Sequence, residues 1–222
     1  MAMKVDPGGT PSELPIFELP LAIVPGELVP LHIFEDRYKR MFSSCLEDDA
    51  PLGILLRSDA PQGRRIGCSA RVTRVLERFD DGRLDVIVTG ETPFVIVERV
   101  QNPDYPSATV MALADEADEA GEPTGEREAD SESETVRTRF AELVERISGE
   151  PPDPDDFDDP SAYGLAARIE LPAETKQRML ELRSEAERLR VLSEAIAQLL
   201  DAVSRSDEVA ERAKLNGKVV VG

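Results

Sequence analysis

The sequence predicts an α+β chain: a small, strongly bent sheet or part-closed barrel carrying one helix, followed by an all-helical lobe. Three observations carry this. Residues 66–100 alternate apolar and polar side chains, the period of half-buried strands. Beyond residue 135 the apolar period becomes helical. Between the two lies a stretch, 115–134, of acidic and small residues with too few apolar side chains to bury a face.

Taken in order, residues 1–11 read as a disordered lead-in, with Pro7-Gly8-Gly9 and Thr10-Pro11 as punctuation. Residues 12–114 form the β lobe. Leu14–Phe17 and Leu19–Val24 are short extended pieces, and their prolines place them at strand starts or edges, because proline cannot donate to a ladder. Pro25-Gly26 predicts a turn and Leu28–Phe34 an extended run in which Pro30 holds Val29 out of the α region. The period then changes. Phe34, Tyr38, Met41, Phe42 and Cys45 predict an amphipathic helix over about 35–46, with Glu35 and Asp36 in its first turn.

Pro51–Leu56 reads as a buried strand. Ile66, Cys68, Ala70 and Val72 alternate cleanly, and a slip at Arg74-Val75-Leu76 predicts a bulge. Phe79–Arg83 predicts a hairpin turn, Leu84, Val86 and Val88 the returning strand, and Thr89–Pro93 a further turn. Phe94–Val100 and Tyr105–Leu113 supply two more strands.

Residues 115–134 are expected to be an acidic linker, 135–203 a helical bundle lobe and 204–222 a C-terminal tail with a turn at Asn216-Gly217. Val136, Phe140, Leu143, Val144 and Ile147 form one helix stripe, ended by Gly149 and Pro151-Pro152. Ala162, Leu165, Ala166 and Ile169 face one way on a short helix, with Asp159 as cap and Pro160 in its first turn. Another short helix follows Pro172. Ser184 and Glu187 form a capping box before a long helix with Leu189, Leu192, Ile196, Leu199 and Val203 inward.

Composition removes several functions. The formal net charge of −19 over 222 residues disfavours phosphate backbones and anionic membranes. No apolar run is long enough to span a bilayer, and the first residues lack a signal-peptide pattern. Cys45 and Cys68 both sit at apolar positions and read as small buried side chains, which suits a reducing, cytoplasmic setting.

The chain has no phosphate-binding G-x-x-x-x-G-K-[ST] loop, no G-x-G-x-x-G and no H-E-x-x-H. Asp153–Asp159 departs from a calcium loop because Asp158 stands where glycine is required. His32, the single histidine, is expected to be packed or hydrogen-bonded, since no nucleophile accompanies it. Arg71, Arg74 and Arg78 are interleaved with acid and read as cross-strand ion pairing. No catalytic residue, metal ligand or cofactor site is assigned.

Several ordered blocks resemble the N-terminal, substrate-binding domain of the Lon proteases. They are Leu14-Pro15-Ile16-Phe17; Pro25-Gly26 and Pro30–Glu35 with Arg37-Tyr38; Ile66–Val75; Asp81–Leu84; Val88–Phe94; and Leu165–Leu200 with Leu171-Pro172. The resemblance spans about residues 12–203 and implies a PUA-like β lobe followed by a helical bundle. Full Lon proteases continue into an ATPase module and a Ser–Lys protease domain, whereas this chain stops before either, so no enzymatic activity is expected of it.

The resemblance implies recognition of unfolded or degron-bearing polypeptides, as a substrate-recognition or adaptor module, with self-association or a protease as further partners. Leu28, Val29, His32 and Phe34 are the residues expected to line any groove, against a favoured reading as core beneath the helix. The alternatives are an RNA-binding PUA-like protein, which the acidic charge opposes, and a small-ligand-binding or structural protein.

Overall fold

The computed structural model describes residues 10–60, 63–115 and 123–216, with side chains in the last span placed for 132–155 and 157–206. Six strands form one sheet: β1 (Ser12–Leu19), β2 (Leu28–Ile33), β3 (Leu52–Leu56), β4 (Ile66–Arg78), β5 (Leu84–Val100) and β6 (Ser107–Ala112). The order is β2-β5-β4-β3-β1-β6, and β5 also pairs with β6. That second pairing closes five strands into a barrel and leaves β2 outside it, attached to β5 alone.

β1 and β3 run parallel, joined through helix α1 (Asp36–Glu47) as a crossover between parallel strands requires; the other pairs are antiparallel. Closure depends on the length of β5. Its first half, from Leu84, pairs with β2 and its second half, to Val100, with β6, while β4 follows it on the other side.

The expected turn at Thr89–Pro93 is therefore absent: these residues continue β5. What the composition marks is a register shift, since Cys68 pairs with Pro93 and Ala70 with Gly90. Gly90 is the close-approach point, where a Cβ would stand 2.2 Å from the Val24 carbonyl oxygen. The expected irregularity in β4 is present: Val75 pairs with Val86 and Glu77 with Asp85, which makes Leu76 an extra residue. The Phe79–Arg83 turn is also present, with the Gly82 N–H donating to the Phe79 carbonyl at 2.9 Å.

The helical part comprises α2 (Pro123–Ser148), a 3-10 turn at Pro154–Phe157, α3 (Ala162–Ala166), α4 (Ala173–Glu181) and α5 (Glu185–Asn216). α2 reaches back into the stretch read as linker, and α5 continues into the stretch read as tail. Residues 1–9, Gly217 and the apolar end Val219–Val221 lie outside the described residues. α3 is capped by Ser161, whose Oγ accepts the Gly164 N–H at 3.0 Å, and not by Asp159; Asp159 instead accepts the Ser161 N–H.

Two cores result. Leu14, Ile16, Leu55, Phe94, Ile96, Ala108 and Val110 fill the barrel. The larger core joins the two lobes, running from Phe17, Met41 and Phe42 to Phe140, Leu143, Leu192 and Ile196. Cys45 and Cys68 are buried free thiols. Ile147, placed on the α2 stripe by its spacing, is 68% exposed at the end of that helix.

Candidate functional site

The site is built from the Pro25-Gly26 turn. Gly26 has φ +80, a conformation costly for residues with a Cβ. Its N–H donates to the Gly90 carbonyl at 2.9 Å, and the Gly90 N–H donates to the Glu27 carbonyl at 3.0 Å. This clamp sets the phase of β2 against β5. Glu27 itself is buried, accepts the Val24 N–H at 3.1 Å and forms an ion pair with Lys176 of α4.

From that start the side chains of β2 alternate. Val29, Leu31 and Ile33 face inward, where Ile33 is fully buried and the other two pack on the larger core. Leu28, Pro30 and His32 face out, and the face continues into Phe34. Leu28 is 64% and Phe34 61% exposed, high values for large apolar side chains. Core packing therefore describes only Val29 of the four residues proposed from sequence. Leu28, His32 and Phe34 share a surface, and Val29 lies beneath it.

The cross-strand partners of the outward residues are Thr89, Ile87 and Asp85 of β5. His32 Nδ1 lies 2.5 Å from Asp85 Oδ1, stacks against Phe34 with ring centroids 6.0 Å apart and meets Phe79 edge-on at the same distance. Arg83 covers the outer side of Phe79, 4.8 Å from its centroid. His32 is hydrogen-bonded as expected, but it is an exposed member of an aromatic cluster. Asp85 and Phe79 escaped sequence reasoning; only the register of β5 with β2 and β4 brings them there. Leu76, 54% exposed, was signalled by the slip in the β4 alternation.

Nothing in this surface pairs a nucleophile with a base. Burial pushes the Cys45 thiol up to about 11 and the Cys68 thiol higher still, so both are held as inert thiols. Burial raises the Tyr163 phenol as well; its hydroxyl donates to the Met179 carbonyl at 3.1 Å. Of the three arginines read as pairing across strands, Arg71 does so with Glu91 of β5 at 2.9 Å, and it also reaches Asp49 in the loop after α1 at 3.2 Å. Clefts of about 570 Å³ beside α2 and about 630 Å³ between β1, α1 and Tyr105 lie elsewhere, and His32 lines neither. Among the described residues no group of three or more His, Cys, Asp or Glu side chains is placed to hold a metal ion, and no helix is long and apolar enough to cross a membrane.

The model of the ATP-dependent protease La (LON) substrate-binding domain matches residues 13–198, from the second residue of β1 to the middle of α5. The chain belongs to this family. No curated protein matches. Solved Lon N-terminal domains share the fold. The crystal structure of a Lon N-terminal domain protein from Xanthomonas campestris is 19% identical, covers 82% of this chain and 96% of its own, and has a TM-score of 0.55. The N-terminal domain of the Mycobacterium avium complex Lon protease is 18% identical, covers 84% and 98%, and has a TM-score of 0.57. The Lon substrate-binding fold thus accounts for both the barrel and the helical part, and β2 lies within the matched residues.

Proposed function

We propose that this Lon substrate-binding domain is a non-catalytic recognition module that captures unfolded or degron-bearing polypeptides on the outer face of β2. The observation that supports the reading is the exposure of Leu28 and Phe34 on one face, beside an aromatic cluster and with Val29, Leu31 and Ile33 holding the strand from beneath. Apolar anchors of this kind gain free energy by leaving water, and an unfolded chain offers matching side chains that a folded protein hides. As an adaptor, the module would present such chains to a protease.

The test is anisotropy titration with a fluorescent, permanently unfolded polypeptide. Leu28→Ser and Phe34→Ser are each expected to weaken binding about tenfold, the loss of one buried apolar anchor, with the melting temperature essentially unchanged. Unaltered binding by both variants would overturn the proposal.

A further inference from the structure

β2 is an edge strand: among the described residues it pairs only with β5, and no other backbone partner is found for Leu28–Ile33. The phase of that pairing can be read from the clamp. The Glu27 carbonyl bonds to Gly90, so every second residue from Glu27, namely Val29, Leu31 and Ile33, turns its backbone groups toward β5. Leu28, Pro30 and His32 turn theirs toward the free edge. Pro30 fits this phase, because its missing N–H falls on the open side and costs the ladder nothing. The free edge thus offers the N–H and C=O of Leu28, the C=O of Pro30 and the N–H and C=O of His32. It carries no charged side chain of the kind that commonly protects an edge from pairing; Pro30 is its one guard, and it leaves the Leu28 and His32 donors open.

We propose that this edge takes an extended, basic and apolar polypeptide segment as an added strand beside β2. The proposal rests on the recognition function above and specifies its substrate class. Main-chain bonds to Leu28, Pro30 and His32 hold the segment, and its alternate apolar side chains lie against Leu28 and Phe34. Long-range attraction favours the basic class. The chain carries −19, which draws cationic segments and repels acidic ones and other copies of itself. At the Phe34 end, Asp85, paired with His32, faces Glu77 across the β4–β5 ladder, and Arg83 lies over Phe79 beside them.

The probe is a short fluorescent peptide of alternating valine and lysine, titrated against the whole chain. N-methylation of the alternate amides that face β2 is expected to weaken binding about tenfold or more, through lost hydrogen bonds and steric block. The same modification on the opposite set should leave binding within about twofold. Replacing lysine by glutamate should abolish measurable binding.

Equal loss from both methylated sets, with Leu28→Ser and Phe34→Ser still weakening the parent peptide, would overturn strand addition while leaving apolar recognition standing. Undiminished binding of the glutamate peptide would overturn the basic class. No saturable binding of the parent peptide, with the unfolded polypeptide still bound, would overturn the added basic strand and leave the recognition function standing. A dimer seen by sedimentation and dissolved by Leu28→Ser, with no peptide competition, would assign the edge to a second copy and overturn the proposal.

Discussion

Phe34 and Phe42 bracket the first turns of α1 and do opposite things. Phe42 is completely buried and meets Phe17 edge-on at 5.6 Å, whereas Phe34 is mostly exposed and stacks on His32. The difference comes from position alone: Phe34 extends the outward row of β2, and Phe42 is on the helix face turned to the barrel. The buried thiols and phenol have a consequence at the same scale. Burial raises Cys45, Cys68 and Tyr163 in the folded state, so the folded chain keeps protons that the unfolded chain releases. The contribution of Cys45 is full below the ordinary thiol value of 9.0 and is lost as the pH climbs to about 11, while those of Cys68 and Tyr163 go on falling above that. Urea midpoints are therefore expected to fall between neutral pH and about pH 10, with the thiols unreactive to disulfide reagents until unfolding. Midpoints flat across that window, or prompt thiol labelling of the native chain, would contradict this.

Among the elements, β5 organises the others, since it serves β2, β4 and β6 in turn. Within it, Gly90 lets the chain approach the Val24 carbonyl while both Gly90 backbone groups hold the Pro25-Gly26 turn. Gly90→Ala is expected to destabilise the fold by about 1–3 kcal/mol, the usual cost of forcing extra atoms into a packed site. It should also weaken polypeptide binding, because the clamp sets the phase of β2. Chemical denaturation together with the anisotropy titration checks both effects; unchanged stability would mean that Val24 yields easily. Thr89–Pro93 resembled a turn because Gly and Pro punctuate it, yet the pairing of Thr89, Gly90 and Pro93 with β4 carries the strand through, with Glu91 and Thr92 at a register shift. The same competition hid the first turns of α2, where acidic residues suggested a linker although several of them are good helix formers.

At the scale of the molecule, the two lobes share one core and are joined by a buried ion pair between Glu27 and Lys176. Arg64 adds a two-pronged contact to Glu174, with bonds of 2.6 and 2.7 Å, and Arg188, 3% exposed, reaches Asp115 at the end of the barrel. Breaking a buried pair strands a charge. Lys176→Met is therefore expected to cost about 3–5 kcal/mol in urea unfolding, and Glu27→Gln/Lys176→Met to recover most of it, because the amide oxygen can still accept the Val24 N–H. A cost below about 1 kcal/mol for the single variant would show that water reaches the pair. Both variants should unfold in one transition, since a continuous core makes the lobes a single cooperative unit.

Local periodicity was enough to read most of the elements. The alternation at Ile66–Val72 gave β4, the helical spacing of Tyr38–Cys45 gave α1, and Leu189–Ile196 gave the inward face of α5, because a side chain's direction follows from its own backbone; Phe34, counted on the α1 stripe, instead precedes the helix and faces out. The ordered blocks around Pro25-Gly26 and Pro30–Glu35 likewise pointed to the family. The run Leu28–Phe34 was visible as apolar, but its exposure was not: the same letters suit a buried strand or an outward face. That choice was settled at long range: the larger core packs on the Val29, Leu31 and Ile33 face alone, and the pairing of β5 with β4 and β6 left β2 with one strand neighbour. Distant pairing also brought Asp85 to His32 and Lys176 to Glu27, 53 and 149 residues away in sequence. No local pattern encodes such partners, since only the closed barrel and the helices packed on it carry those residues together.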